Sequence, residues 1–146
     1  MSSNEIISSL NHVLADTYAL YLKTQNYHWN VTGPHFGDLH TKFEGQYADL
    51  ADAVDTIAER IRALGDKVPA TFKVFDKKCH IQDGNENAEA NTMVKELASD
   101  NKAIVKVLKE CASIAEKKGD IATADLMTQR VAIHDKASWM LSSYFA

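Results

Sequence analysis

The chain has 146 residues, 45% of them hydrophobic and 25% charged, with a formal net charge of −4; that is the size and balance of one compact soluble domain spanning residues 1–146. No apolar run approaches the roughly 20 residues that cross a bilayer, and residues 1–10 have neither a basic start nor a signal-type apolar stretch, so the expected location is cytoplasmic with no membrane partner. The acidic balance argues against a surface that attracts nucleic acid unaided, and two cysteines, Cys79 and Cys111, are too few for a disulfide framework and match no zinc spacing, which leaves buried or idle thiols.

A first helix is expected over residues 4–31. Ser2 and Glu5 are placed as a capping box, and Leu10, Leu14, Tyr21 and His28 fall near one line of the helix. Gly33-Pro34 breaks the chain. A second helix over residues 36–64 has the clearest periodicity: Leu39, Phe43, Tyr47, Leu50, Val54, Ile57, Ile61 and Leu64, spaced by three and four, with Gly65 as its C-terminal stop. Residues 66–91 contain Pro69, Gly84 and a polar tract and read as a long crossover, with residues 71–78 as a candidate short helix. A third helix, residues 91–118, turns Val94, Leu97, Ile104, Leu108 and Cys111 inward and stops at Gly119. A fourth, residues 120–145, turns Leu126 or Met127, Val131, His134, Leu141 and Phe145 toward the core. The fold class is therefore all-α, four long helices with one long connection between the second and third, the topology of a ferritin-like bundle. The small basic clusters Lys73/Lys77/Lys78 and Lys117/Lys118 read as solvated faces.

Chemistry concentrates in two pairs at i, i+4 on the second helix, His40/Glu44 and Asp55/Glu59, with His28 twelve positions before His40. Imidazole plus carboxylate without thiolate is a donor set for Fe, Mn or Zn. With Leu39 at zero and about 100° per residue, the apolar residues gather around 30°, whereas the four donors fall near about 100°, 140°, 160° and 200°. The ligand side is thus not the core side. Glu44 and Asp55 are about 16 Å apart along the axis, too far for one metal. A second copy running antiparallel would set His40 and Glu44 of one chain beside Asp55 and Glu59 of the other, giving two equivalent sites about a two-fold axis. Ala48 and Ala51 between the pairs would let that helix approach. The rival reading of either pair is a solvated surface pair. No Glu-x-x-His occurs, so the donors are not those of a diiron site inside one subunit's core.

At these residues the chain resembles a known family. His28-Trp29-Asn30-Val31-x-Gly33-Pro34-x-Phe36-x-x-Leu39-His40, then Asp55-x-Ile57-Ala58-Glu59-Arg60, is similar to the Dps proteins, the DNA-binding proteins from starved cells or mini-ferritins. Gly119-Asp120-x-x-Thr123-Ala124-Asp125 and His134-x-Lys136-x-x-Trp139-Met140-Leu141 resemble that family's last helix. The resemblance implies a ferroxidase centre between subunits, with His28, His40 and Glu44 from one chain and Asp55 and Glu59 from its partner. Glu44 stands where the family often has Asp. It further implies a hollow homododecamer that oxidises Fe(II), typically with hydrogen peroxide, and stores the ferric mineral. Trp29 would relay or absorb electrons near the iron, against the alternative of an aromatic packed at a helix end. Asp120 and Asp125 would lie near three-fold pores, against the alternative of acidic groups stabilising a helix start. His12, His35 and His80 fall outside this constellation, and His134 is expected to be packed or hydrogen-bonded rather than a ligand.

The expected function is accordingly that of an iron-oxidising and iron-storing enzyme. A structural DNA condenser is the alternative from a different class, disfavoured because residues 1–10 carry one charged side chain, Glu5, and no Lys or Arg. A bundle whose metal is only structural is the third.

Overall fold

A computed structural model describes the backbone of residues 2–145 and the side chains of residues 4–145. Its helices are α1 (Ser2–Asn30), α2 (Phe36–Ala63), α3 (Phe72–Lys78), α4 (Ala90–Lys117) and α5 (Ile121–Ser142), followed by a single 3-10 turn at Ser143–Phe145. Most ends follow from local chemistry. The residue before a proline disfavours helical backbone, and α1 stops ahead of Gly33, whose φ of +110° suits a residue without Cβ. Gly65 (φ +105°) and Gly119 (φ +78°) turn the chain out of α2 and α4 in the same way. Thr71 caps α3 by accepting from the Val74 amide, and Asp120 caps α5 by accepting from Thr123. The expected capping box of α1 rests on Ser2, whose side chain lies outside the described residues; Glu5 pairs with Lys118 at 3.2 Å.

α1 packs on α2 and α4, α4 packs on α5, and α3 lies against α1. Leu10, Leu14, Leu20 and Tyr27 of α1, Phe43, Ile57 and Ile61 of α2, Met93, Leu97, Ile104 and Leu108 of α4, and Met127 of α5 are fully buried at the centre. The α2 stripe behaves as its spacing predicts: Leu39, Phe43, Leu50, Ile57 and Ile61 are buried, with Tyr47, Val54 and Leu64 at its half-buried margins. Phe145 departs from expectation. It lies past the end of α5, exposed, with Lys95 Nζ 4.9 Å from the ring centroid.

The crossover, residues 64–89, has one buried apolar anchor, Ile81, so polar contacts do much of its fixing. Tyr27 donates its hydroxyl proton to Glu96 and accepts from the Asn85 amide at 3.2 Å, and Lys23, almost wholly buried, lies 2.9 Å from Asp100 and 3.3 Å from Glu96. Burial and the Glu96 bond push the Tyr27 phenol up to about 12. A Cβ at Gly84 would stand 3.1 Å from the Tyr27 ring, so the crossover passes here at glycine distance.

α5 joins the bundle through buried polar groups that an apolar count misses. Arg130 forms a two-pronged pair with Asp49 of α2 at 3.0 and 3.1 Å, and donates to His134 Nε2 at 3.0 Å. His134 passes the contact on, donating from Nδ1 to Asn101 Oδ1 of α4 at 2.8 Å. Accepting at Nε2 while donating from Nδ1 needs a neutral ring. Burial, then the adjacent guanidinium, lowers the imidazole to about 3 from its ordinary 6.5. Between those values an unfolded chain takes up a proton that the folded chain refuses. The stability contributed by neutral His134 is therefore complete above pH 6.5 and is lost as pH falls toward 3. Thermal unfolding followed by circular dichroism should show Tm falling more steeply from about pH 7 to about pH 4.5 in the parent than in His134→Gln, a difference on the order of 2 kcal/mol. Parallel profiles would remove the histidine from the acid response.

Candidate metal centre

The site is built where α1 hands over to α2. The reversal through Gly33 lays the last turn of α1 beside the first turns of α2, closing with a bond from the Phe36 amide to the Gly33 carbonyl at 3.1 Å. Across this corner two histidines bind each other's backbone. His28 Nδ1 donates to the His40 carbonyl at 2.7 Å, and His40 Nδ1 donates to the His28 carbonyl at 2.8 Å. The His28 carbonyl lies in the last turn of α1, where carbonyls have no helical donor, so the His40 ring acts as a C-terminal cap. The rings stack at 3.8 Å between centroids and 17° between planes. Phe36 stacks on His40 at 5.1 Å, and Tyr47 meets His28 edge-on at 5.1 Å.

This reciprocal bonding fixes which nitrogen of a neutral ring keeps its proton. A carbonyl can only accept, so each Nδ1 carries hydrogen, and each neutral ring is left with its lone pair on Nε2. Glu44, one turn beyond His40, brings Oε1 to 4.0 Å from His28 Nε2. That is long for a hydrogen bond but suits two donors of one ion, since ligands at about 2.0–2.2 Å in tetrahedral array stand about 3–4 Å apart. One donor atom from each of His28, His40 and Glu44 lies within 4.8 Å of the others, and among the described residues no other cluster of three or more does so. Two neutral imidazoles and one carboxylate fit a divalent first-row metal, and a bonded Nδ1–H behind each ligating nitrogen holds the ring in place.

Asp55 and Glu59 do not join this cluster. Both are exposed, three and four turns along α2, with half-buried Ala51 and exposed Ala48 between them and the histidines. Trp29 is 62% exposed rather than packed. It lines a groove of ≈ 590 Å³ with Leu22, Phe72 and Phe75. The two aspartates proposed for a pore differ. Asp120 is engaged within the chain: it caps α5, accepts the Thr123 hydroxyl at 2.6 Å and pairs with Arg60 at 3.3 Å. Burial opposes its ionisation, but those bonds and the Arg60 charge outweigh burial and hold the carboxyl below its usual range. Asp125 is exposed, touched by Gln129 at 2.8 Å. Cys79 is half-buried and Cys111 buried, and burial raises both thiols above their usual range, as expected for unreactive side chains. Sequence reasoning missed the reciprocal histidine bonds and Tyr47's place against His28; only its i+7 spacing from His40 hinted at the latter.

Bundle and donor set together define a helical protein of the carboxylate–histidine kind. The family model described as a ferritin-like domain matches residues 7–146. DNA protection during starvation protein 2 of Bacillus anthracis is 36% identical over 142 residues, covering 97% of each chain. Among solved structures, a Dps protein from Bacillus brevis superposes with a TM-score of 0.96 at 32% identity, covering 99% of this chain and 97% of that one. The Dps protein of Vibrio cholerae O1, described as a member of a broad superfamily of ferritin-like diiron-carboxylate proteins, gives 0.95 at 28% identity, covering 99% and 91%. The chain belongs to the ferritin-like family, among its Dps members.

The donor geometry makes a binding prediction. Replacing His40 by Gln should weaken Co(II), a spectroscopic stand-in for Fe(II), at least about tenfold in an anaerobic absorbance titration, with helical content unchanged. Parent-like cobalt affinity would remove His40 from the ligand set.

Proposed function

We propose that the chain oxidises Fe(II) at centres shared between two subunits, with hydrogen peroxide as oxidant, and stores the ferric product as mineral inside a hollow dodecamer in the cytoplasm. The observation that carries this reading is the paired His28/His40 lock, which leaves two Nε2 lone pairs and the Glu44 carboxylate converging on one point. Fe(II) is the substrate there. One chain offers three donors, an incomplete shell, while its Asp55 and Glu59 stand exposed about 16 Å or more farther along α2. Antiparallel pairing of two α2 helices over Ala48 and Ala51 would bring the partner's Asp55 and the partner's Glu59 to His28, His40 and Glu44, twice per pair.

Each residue then has a task. The neutral imidazoles hold ferrous iron, and the carboxylates favour the higher charge of the ferric product. Two ferrous ions give one electron each to the O–O bond of peroxide, which takes two protons and leaves as two waters. Trp29, next in the chain to His28, is proposed as a reducing side chain that absorbs stray oxidising equivalents. Exposed Asp125, more than the engaged Asp120, would draw cations toward an entry pore. Consuming Fe(II) and peroxide together suppresses hydroxyl-radical formation, so DNA protection needs no direct DNA contact from a chain of net charge −4.

A shared site has a signature that a site within one chain lacks. His40→Ala and Asp55→Ala assemblies should each oxidise Fe(II) slowly, yet co-assembling the two variants in equal amounts should restore about a quarter of the parent's sites, because half of random pairs are mixed and each mixed pair holds one intact centre. Stopped-flow ferric absorbance measures this. No recovery on mixing, with both singles impaired, would refute sharing. Sedimentation should place the particle at about 190 kDa, twelve 16.2 kDa chains; an iron-oxidising monomer would overturn the assembly.

A further inference from the structure

Aromatic rings stand in series from the candidate centre to the surface. Tyr47 of α2 meets the His28 ring edge-on at 5.1 Å. Tyr21 of α1 meets Tyr47 at 6.1 Å, and Tyr18, one turn earlier on α1, meets Tyr21 at 5.8 Å, both edge-on. Phe75 of α3 closes the series against Tyr18 at 5.1 Å. All three tyrosines are half-buried, and Tyr18 lines the groove that Phe75 and Trp29 also line. The series therefore joins a donor ring of the candidate centre to an open groove. Packing accounts for the rings but not for the hydroxyls, since phenylalanine makes the same edge-to-face contacts. Gln25 Nε2 donates to the Tyr21 hydroxyl at 3.1 Å, which uses the phenol as an acceptor and leaves its proton free. What a phenol adds to a ring is oxidisability: it gives up an electron and a proton together and becomes a neutral phenoxyl radical. Phenols in ring contact pass that vacancy on with little net change in energy.

We propose that Tyr47, Tyr21 and Tyr18 form an electron relay that supplies the second electron when peroxide meets a centre holding a single Fe(II), and that carries the resulting vacancy to the groove, where a small thiol from solution fills it. The relay rests on the ferroxidase reading above. Peroxide needs two electrons, and one Fe(II) gives one; unaided, the broken O–O bond leaves a hydroxide and a hydroxyl radical. With Tyr47 against His28, one electron comes from the iron and one from the phenol. The O–O bond breaks, the phenol proton joins one oxygen, which leaves as water, and the other oxygen leaves as hydroxide. Fe(III) and the Tyr47 phenoxyl radical remain. Tyr47 then regains an electron and a proton from Tyr21, and Tyr21 from Tyr18. At the groove a thiol gives Tyr18 its electron and proton and becomes a thiyl radical, and two thiyl radicals couple to a disulfide. Trp29, by contrast, is 62% exposed, so a radical there would already stand in solvent.

The test uses the assembled protein, anaerobic, with less than one Fe(II) per centre and excess hydrogen peroxide. Freeze-quench electron paramagnetic resonance should show a phenoxyl radical whose hyperfine pattern narrows when ring-deuterated tyrosine is incorporated, which an indole radical at Trp29 would not do. Tyr47→Phe should lose that signal, and spin-trapped hydroxyl radical should rise. Tyr18→Phe examines the route: mercaptoethanol should shorten the radical's lifetime in the parent and leave it unchanged in this variant, a difference that a packing role for Tyr18 would not produce. A parent-like tyrosyl yield in Tyr47→Phe, or parent-like thiol quenching in Tyr18→Phe, would overturn the relay. Ferric absorbance from the same samples separates the two readings. Ferric product without a tyrosyl radical refutes the relay alone, whereas no ferric product refutes the ferroxidase reading and the relay with it.

Discussion

Two imidazoles that cap each other's backbone across a chain reversal are the constraint on which the rest of the site depends. Each Nδ1 bond is part-buried and contributes on the order of 1 kcal/mol net, but its directional effect matters more. Once His28 and His40 are pinned to each other's carbonyls at 2.7 and 2.8 Å, neither ring can turn its Nε2 away without breaking its own bond, and for His40 that would leave the helix-end carbonyl of His28 short of a donor. The stacking at 3.8 Å removes the remaining rotation. Gly33, whose positive φ makes the reversal tight enough for α1 and α2 to meet here, is part of the same device.

The second consequence is a separation of labour on α2. Its buried stripe from Leu39 to Ile61 holds the bundle together, while Glu44, Asp55 and Glu59 stand exposed on another face. Ligand substitutions on that face need not create core cavities, which for a large buried aliphatic or aromatic side chain cost about 2–5 kcal/mol. His28 is the exception: buried, and tied at once to donor geometry and to packing against Tyr47.

How legible all this was from sequence varied with how local the cause was. The long helices end within one to three residues of their expected bounds because the stop signals at Gly33, Gly65 and Gly119 act through their own backbone angles. The α2 stripe was legible because apolar spacing there is uninterrupted. α5 was harder, since its buried side carries Thr123, Arg130, His134 and Ser138, which look like surface residues until Asp49 and Asn101 are seen to satisfy Arg130 and His134. Phe145 was misplaced because α5 gives way to a 3-10 turn after Ser142, shifting the register that would have turned it inward. That His28, His40 and Glu44 could come together was legible from spacing; the ring tautomers were not, because the carbonyls that fix them lie twelve residues away in sequence.

The crossover shows why a long connection here is held by charges rather than by a core of its own. A segment with one fully buried apolar residue, Ile81, gains little from burial, and apolar contact would not choose among neighbouring positions along α1. Hydrogen-bonded charges do choose. Asp16 grips His80 by ring and backbone, and Tyr27 fixes Asn85 while bonded to Glu96 beside Lys23. Removing one partner of such a contact leaves a buried acceptor unsatisfied, a loss of about 1–3 kcal/mol, so slippage of the crossover by one residue is penalised. That fixed position places α3, and with it Phe72 and Phe75, along the same groove as Trp29. The polar anchors of the crossover thereby set the shape of the surface beside the candidate metal centre, although none of them belongs to the His28/His40/Glu44 cluster.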